Sequence, residues 1–164
     1  MKETGKTRLI AACGILAAVY AVITIITTPL SYGLVQFRLS EALVVLCAFE
    51  PMLGIGITLG CFLSNLFSTV TALDMVIGTL ATALACLWTA HCRKAWLVPL
   101  PNILLNALLV GGMLAFVLFP HQLTAGFAIA FGQVAFGELV VMYGLGLPLY
   151  LFARRTRLVE QLLQ

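Results

Sequence analysis

The sequence predicts an all-α integral membrane protein, a bundle of six transmembrane helices with both termini cytoplasmic. Composition is the first observation behind that fold class. Of 164 residues, 62% are hydrophobic and 9% are charged, whereas water-soluble domains carry roughly 25% charged residues. The second observation is where the basic residues fall. Lys2, Lys6 and Arg8, then Arg93 and Lys94, then Arg154, Arg155 and Arg157 all flank apolar spans at ends that face one side. Such a bias marks the cytoplasmic face. Arg38 alone stands on the opposite side.

About 20 residues cross about 30 Å of hydrocarbon, so the chain has room for about six helices. The expected spans are 9–27, 40–50, 52–67, 74–91, 97–119 and 126–153, in a single membrane domain over 1–164. The first follows three basic residues and exceeds the about 7–15 residues of a signal-peptide core. No small-residue cleavage site follows it, so it reads as a helix that stays. Pro29, Ser31 and Gly33 break it. Ser40 is placed to cap the second helix, which Glu50-Pro51 turns back. The third leads through Ser68-Thr69-Val70-Thr71 to the fourth, where Asp74 sits at an N-cap position that Thr71 could share. His91-Cys92-Arg93-Lys94 forms the next turn. The fifth helix begins near Pro99 and stops before Pro120-His121, and the sixth is long enough to tilt.

Several function classes are disfavoured. GxxxxGK[ST], HExxH and GxSxG do not occur, which argues against an enzyme and against ATP hydrolysis by this chain. Any uphill transport would draw on a gradient or a partner. The five cysteines, Cys13, Cys47, Cys61, Cys86 and Cys92, lack CxxC spacing and read as small core residues, not as disulfides or metal ligands. No cofactor is implied. The basic residues read as topology signals, not as a nucleic acid surface.

Glu138 is the most informative side chain. Counted from Phe127 it lies about 16 Å along its helix, near the bilayer midplane. A carboxylate there costs at least about 2.5–3.5 kcal/mol, so it must face a cavity or a partner. Asn102 and Asn106 are four residues apart and share a helix face, and Asn65 shares one with Thr58. Amides inside a membrane are either interhelical glue or pocket walls. Arg38 and Glu41 at the outer start of the second helix, with Asp74, are expected to form an outward polar funnel above Glu138. On the first helix, Cys13, Ala17 and Ala21 form one small-residue ridge, with Gly14 and Ala18 beside it. Such ridges let another helix approach closely, within this chain or on a separate subunit.

Several stretches resemble the QueT family. They are Gln36-Phe37-Arg38-Leu39-Ser40-Glu41-Ala42-Leu43, Ser64-Asn65-Leu66-Phe67, Leu73-Asp74 with Gly78-Thr79-Leu80-Ala81-Thr82, Pro101-Asn102 with Asn106-Ala107, and Gly137-Glu138-Leu139 with Gly146-Leu147-Pro148-Leu149. They cover nearly the whole chain in order; the stretch around Glu50 and the loop after Phe119 fit less well. The resemblance implies a six-helix substrate-binding (S) component of an energy-coupling-factor (ECF) importer in the bacterial cytoplasmic membrane. It would dock onto a transmembrane coupling subunit driven by two ATPase subunits, through the ridge of Cys13, Ala17 and Ala21. The implied ligand is a 7-deazaguanine queuosine precursor such as preQ0, preQ1 or queuine. One carboxylate can accept the adjacent N1–H and amine of such a base, and Glu138 is placed for it. Asn102, Asn106 and Asn65 suit the other edges, Asp74 or Glu41 a cationic side arm, and Phe37, Phe67 and Phe127 stacking on the base. Other classes stay open: an S-component for another nucleobase or vitamin-like heterocycle, a proton-coupled carrier using Glu138 as relay, and a lipid-modifying membrane enzyme.

Overall fold

A helix satisfies its own backbone hydrogen bonds, which is what an apolar environment demands of a chain this hydrophobic. The computed structural model describes residues 3–31, 35–68 and 73–163, and these are helical with no strand. The expected contributions of Lys2, Gly33, Thr69 and Thr71 lie outside the described residues.

The elements follow the expected order, with α1 (Glu3–Ile26) first and the one-turn α2 (Thr28–Ser31) after it. A 3₁₀ helix, Leu39–Ala48, comes next, then α3 (Leu53–Asn65), α4 (Leu73–Thr89) and a short 3₁₀ turn, Ala95–Leu97. The fifth expected helix is α5 (Leu100–Leu105), a π-helical turn Asn106–Val110, and α6 (Gly111–Leu118). The sixth is α7 (Leu123–Val141), a second π turn Met142–Gly146, and α8 (Leu147–Thr156). Pro148 accounts for that turn, because it lacks an N–H and its ring crowds the preceding turn. A helix the sequence did not announce, α9 (Leu158–Leu163), follows Arg157, whose φ of 51° turns the chain. Among the described residues, the runs Lys6–Ile26, Ala95–Leu118 and Leu123–Thr156 are long and apolar enough to cross a membrane. The 39–48, 53–65 and 73–89 helices are apolar but shorter.

Glycines set the packing. A side chain at Gly56 would overlap the backbone of Cys13, and one at Gly60 would lie 2.6 Å from the Ala17 carbonyl. Residue numbers rise together along this contact, so α1 and α3 run the same way. Gly54 abuts Cys86, and Asn65 reaches Asp74, so α4 runs back along α3. Gly111 meets Phe131, and Gly126 meets Phe119, so α6 and α7 form a hairpin. Core clusters fill the gaps, one joining Tyr20, Val44, Cys47, Ile57, Cys61, Ala85 and Cys86. Large apolar side chains such as Ile10, Ile26, Phe116, Phe136 and Phe152 point outward.

Several expectations are corrected here. The ridge of Cys13, Ala17 and Ala21 is not free for another subunit: Ala17 and Ala21 are buried, and Gly56 and Gly60 bring α3 against the backbone of Cys13 and Ala17. The neighbouring Gly14 and Ala18 are exposed instead. Ser40 does not cap the second helix. It lies one residue inside it and its hydroxyl meets Thr24 Oγ1 at 2.6 Å. Asp74 is inside the first turn of α4, not at its N-cap, because its carboxylate is turned to Arg38 and Ser68.

Candidate functional site

The 3₁₀ helix Leu39–Ala48 sits at the centre of the bundle and delivers the charges. With three residues per turn, side chains three apart eclipse one another, and Glu41, Val44 and Cys47 are all fully buried. Arg38 just precedes this helix and is 2% exposed.

Around Arg38 the polar groups form one network. Arg38 Nη2 donates to Asp74 Oδ2 at 3.0 Å, and Arg38 Nη1 lies 4.0 Å from Glu41 Oε1. Ser68 Oγ also donates to Asp74 Oδ2, at 2.9 Å. Glu41 Oε1 accepts from Tyr20 Oη at 2.5 Å and from Thr82 Oγ1 at 3.0 Å. Asn65 Nδ2 bonds the Asp74 carbonyl at 3.2 Å and lies 3.4 Å from Cys61 Sγ. A methyl group at Gly78 would stand 2.9 Å from Asp74 Oδ1 and 3.0 Å from Asn65 Nδ2, so glycine leaves these groups their room.

A second polar group comes from α5, the π turn after it and α7. Asn102 Nδ2 donates to Glu138 Oε2 at 2.9 Å, and Asn106 Nδ2 donates to the Asn102 carbonyl at 3.1 Å. The π turn begins at Asn106, a distortion that frequently marks functional positions. Gly137 joins the two groups. Its missing side chain admits the Gln36 carbonyl, which brings the segment leading to Arg38 against α7 beside Glu138. The charges of Glu41 and Arg38 both act on Glu138.

The structure thus brings together Arg38, Glu41, Asn65 and Asp74, and beside them Asn102, Asn106 and Glu138. Among the described residues, Arg38, Glu41 and Asp74 do not line the expected open funnel. They are buried to within 2% of full enclosure, because they face one another across the bundle. The aromatic residues do not join them. Phe67 is 61% exposed, Phe127 pairs with Phe131 at 5.8 Å, and Phe37 meets the exposed Phe136 edge-on at 6.3 Å. Large apolar rings in such a bundle favour its outer surface over a centre filled with charges. Thr58 opens on an apolar groove between α3 and α4.

Tyr20, Thr82 and Gln36 belong to the site and were missed. Tyr20 carried a signal, since a buried tyrosine hydroxyl needs a partner and a helix this apolar offers none. No grouping of three or more His, Cys, Asp or Glu placed to hold a metal ion occurs among the described residues.

A family model described as QueT transporter matches residues 10–155. The queuosine precursor transporter QueT of Lactococcus lactis subsp. cremoris (strain MG1363) is 40% identical over 86 residues. That match covers 50% of this chain and 48% of the relative, so it spans about half the length of either. No solved structure matches. An all-helical chain with several apolar helices, charges sealed at its centre and a family match over most of its length leads to one conclusion: this chain is a member of the QueT transporter family.

Proposed function

We propose that the chain is the substrate-binding component of an ECF importer and captures a queuosine precursor, a 7-deazaguanine base, from outside the bacterial cytoplasmic membrane. The observation that carries this reading is the Glu138–Asn102 pair, buried in an apolar bundle, in a chain related to a queuosine precursor transporter. Burying a carboxylate costs several kcal/mol unless a partner compensates, on the order of 3 kcal/mol in a membrane. A guanine-like edge offers Glu138 two N–H donors side by side, which is that compensation. Asn102 holds Glu138 in place and keeps its Oδ1 for the ligand, and Asn65 and Asn106 shape the walls.

The six helices would all span the membrane, with both termini and the Arg93–Lys94 turn cytoplasmic, as the basic residues suggest. Docking onto the coupling subunit would use the exposed face of α1 around Gly14 and Ala18, since the neighbouring ridge is taken by α3. ATP would be hydrolysed by partner subunits.

The test is a binding titration of the purified chain with preQ0, preQ1, queuine and guanine. Wild-type protein should bind a deazaguanine tightly, and Glu138→Gln should weaken it by at least about tenfold, the loss of a charged hydrogen-bond pair. Folded protein that binds none of them would overturn the reading and leave a carrier for another solute.

A further inference from the structure

The short helix α9 walls a cavity that the polar centre does not use. About 230 Å³ of space lies between α1, the Leu39–Ala48 helix, the start of α3 and α9, bounded by Ala12, Leu16, Leu46, Leu53, Val159 and Leu163 among others. Among the described residues, Arg8 is the one lining side chain that is not apolar. Arg8 lies about 18 Å along α1 from Tyr20, which sets this cavity apart from the network around Glu41. An apolar cavity of about 150 Å³ stays dry and takes up a ligand of benzene size, so this larger one suits a stretch of hydrocarbon chain. Ile15 lines it and is also exposed, so the space opens toward the apolar outer surface of α1.

Charge decides what the rest of the occupant is. Arg8 is exposed, and no ion pair among the described residues holds it. A second cavity bordering α9, of about 430 Å³, is lined by Arg154 and Arg157 but also by Glu50 and Glu160, so its formal charges cancel. The Arg8 cavity has no carboxylate in its lining. Of the two, it is the one that favours an anion. A protein partner would need a surface of about 1,000 Å² or more, whereas this is a narrow apolar space with one cation at its wall.

We infer that this cavity binds an anionic phospholipid of the leaflet that the basic residues face. An acyl chain fills the space between α1 and α9, and the lipid phosphate meets the Arg8 guanidinium. That group matches phosphate oxygens in a bidentate pair, and basic groups at membrane-helix ends attract anionic lipid. Because α9 forms one wall, the bound lipid fastens it to α1. A helix of six residues has little stability of its own, so the lipid should stabilise this end of the chain. The inference holds whether or not the polar centre takes a deazaguanine.

Native mass spectrometry of the purified full chain tests this, with phosphatidylglycerol and phosphatidylcholine of identical acyl chains supplied in equal amounts. Inorganic phosphate is a separate probe. Phosphatidylglycerol should be retained about fivefold more than phosphatidylcholine, the preference that one basic residue near a membrane surface confers. Arg8→Gln should abolish that preference, and Ala12→Leu, which fills the cavity, should displace the lipid. The wild-type melting temperature should rise with phosphatidylglycerol and stay unchanged with inorganic phosphate. Equal retention of the two lipids, or a preference that survives Arg8→Gln, would overturn the inference. So would an equal rise with inorganic phosphate, which needs no acyl site. Retention undiminished in folded Ala12→Leu would also overturn it, by placing the lipid on the outer surface. Arg8 is exposed, so the Arg8→Gln comparison decides the matter even if Ala12→Leu does not fold.

Discussion

Tyr20 lies in the apolar stretch of α1 that follows Arg8, yet its hydroxyl reaches Glu41 Oε1 at 2.5 Å. The bond ties α1 to the polar centre. Tyr20→Phe leaves the ring packed in its core cluster and removes one of two neutral donors to Glu41. The expected cost is about 1 kcal/mol of stability, read as a lower melting temperature in detergent. An unchanged melting temperature would mean the hydroxyl adds nothing beyond packing. At this scale the sequence revealed part of the site. Glu138, Asn102 and Arg38 stood out because their chemistry is costly in hydrocarbon. Gln36 and Thr82 did not, because a glutamine in a connecting segment and a threonine inside an apolar helix are both ordinary. The aromatic residues lie apart from the polar groups, and no feature of the sequence signalled that: phenylalanines occur on every face of an apolar helix, so position does not separate a stacking role from lipid contact.

Glycine spacing explains how the helices meet. Gly56 and Gly60 on α3 admit the backbone of Cys13 and Ala17 on α1, whereas a Cβ at Gly14 would touch nothing within 4 Å. The two sites should therefore respond oppositely. Gly60→Leu should destabilise the isolated protein by about 1–3 kcal/mol through overpacking. Gly14→Ala should leave it as stable or better by about 0.5–1 kcal/mol, the usual gain over a helical glycine. If the Gly14 face meets the coupling subunit, that same variant loses co-purification with it while still binding ligand. Retained co-purification would move the docking surface elsewhere. The all-helical character and the order of the apolar helices were legible from apolar runs and their breakers. The 3₁₀ and π geometry was not legible, because hydrogen-bond register inside a uniformly apolar stretch leaves no periodic mark. The small-residue ridge was found, but sequence alone could not say whether its neighbour lay within the chain.

For the whole molecule, orientation rests on charge, and a cysteine can test it. Cys92 sits in the turn after α4, half-buried, and burial pushes its thiol above the usual cysteine range. The thiolate is the reactive form, so labelling should be slow near neutral pH and rise with pH later than for an open thiol. In a Cys13→Ser background, a membrane-impermeant maleimide should modify Cys92 in inside-out vesicles and not in intact cells. Cys47, Cys61 and Cys86 are buried and should stay unmodified in the folded protein. Labelling from intact cells would invert the proposed topology.

The parallel run of α1 and α3 makes a demand on the chain between them, which must return along the bundle before α3 begins. It does so mainly through Leu39–Ala48. At about 2.0 Å per residue in 3₁₀ form, against about 1.5 Å in an α-helix, those ten residues reach about 20 Å instead of about 15 Å. The segment is stretched to its working length. An inserted or deleted residue there would swing Glu41 a third of a turn away from Tyr20 and Thr82. Among relatives, this should be the stretch of chain whose length does not drift, even where its apolar residues exchange freely.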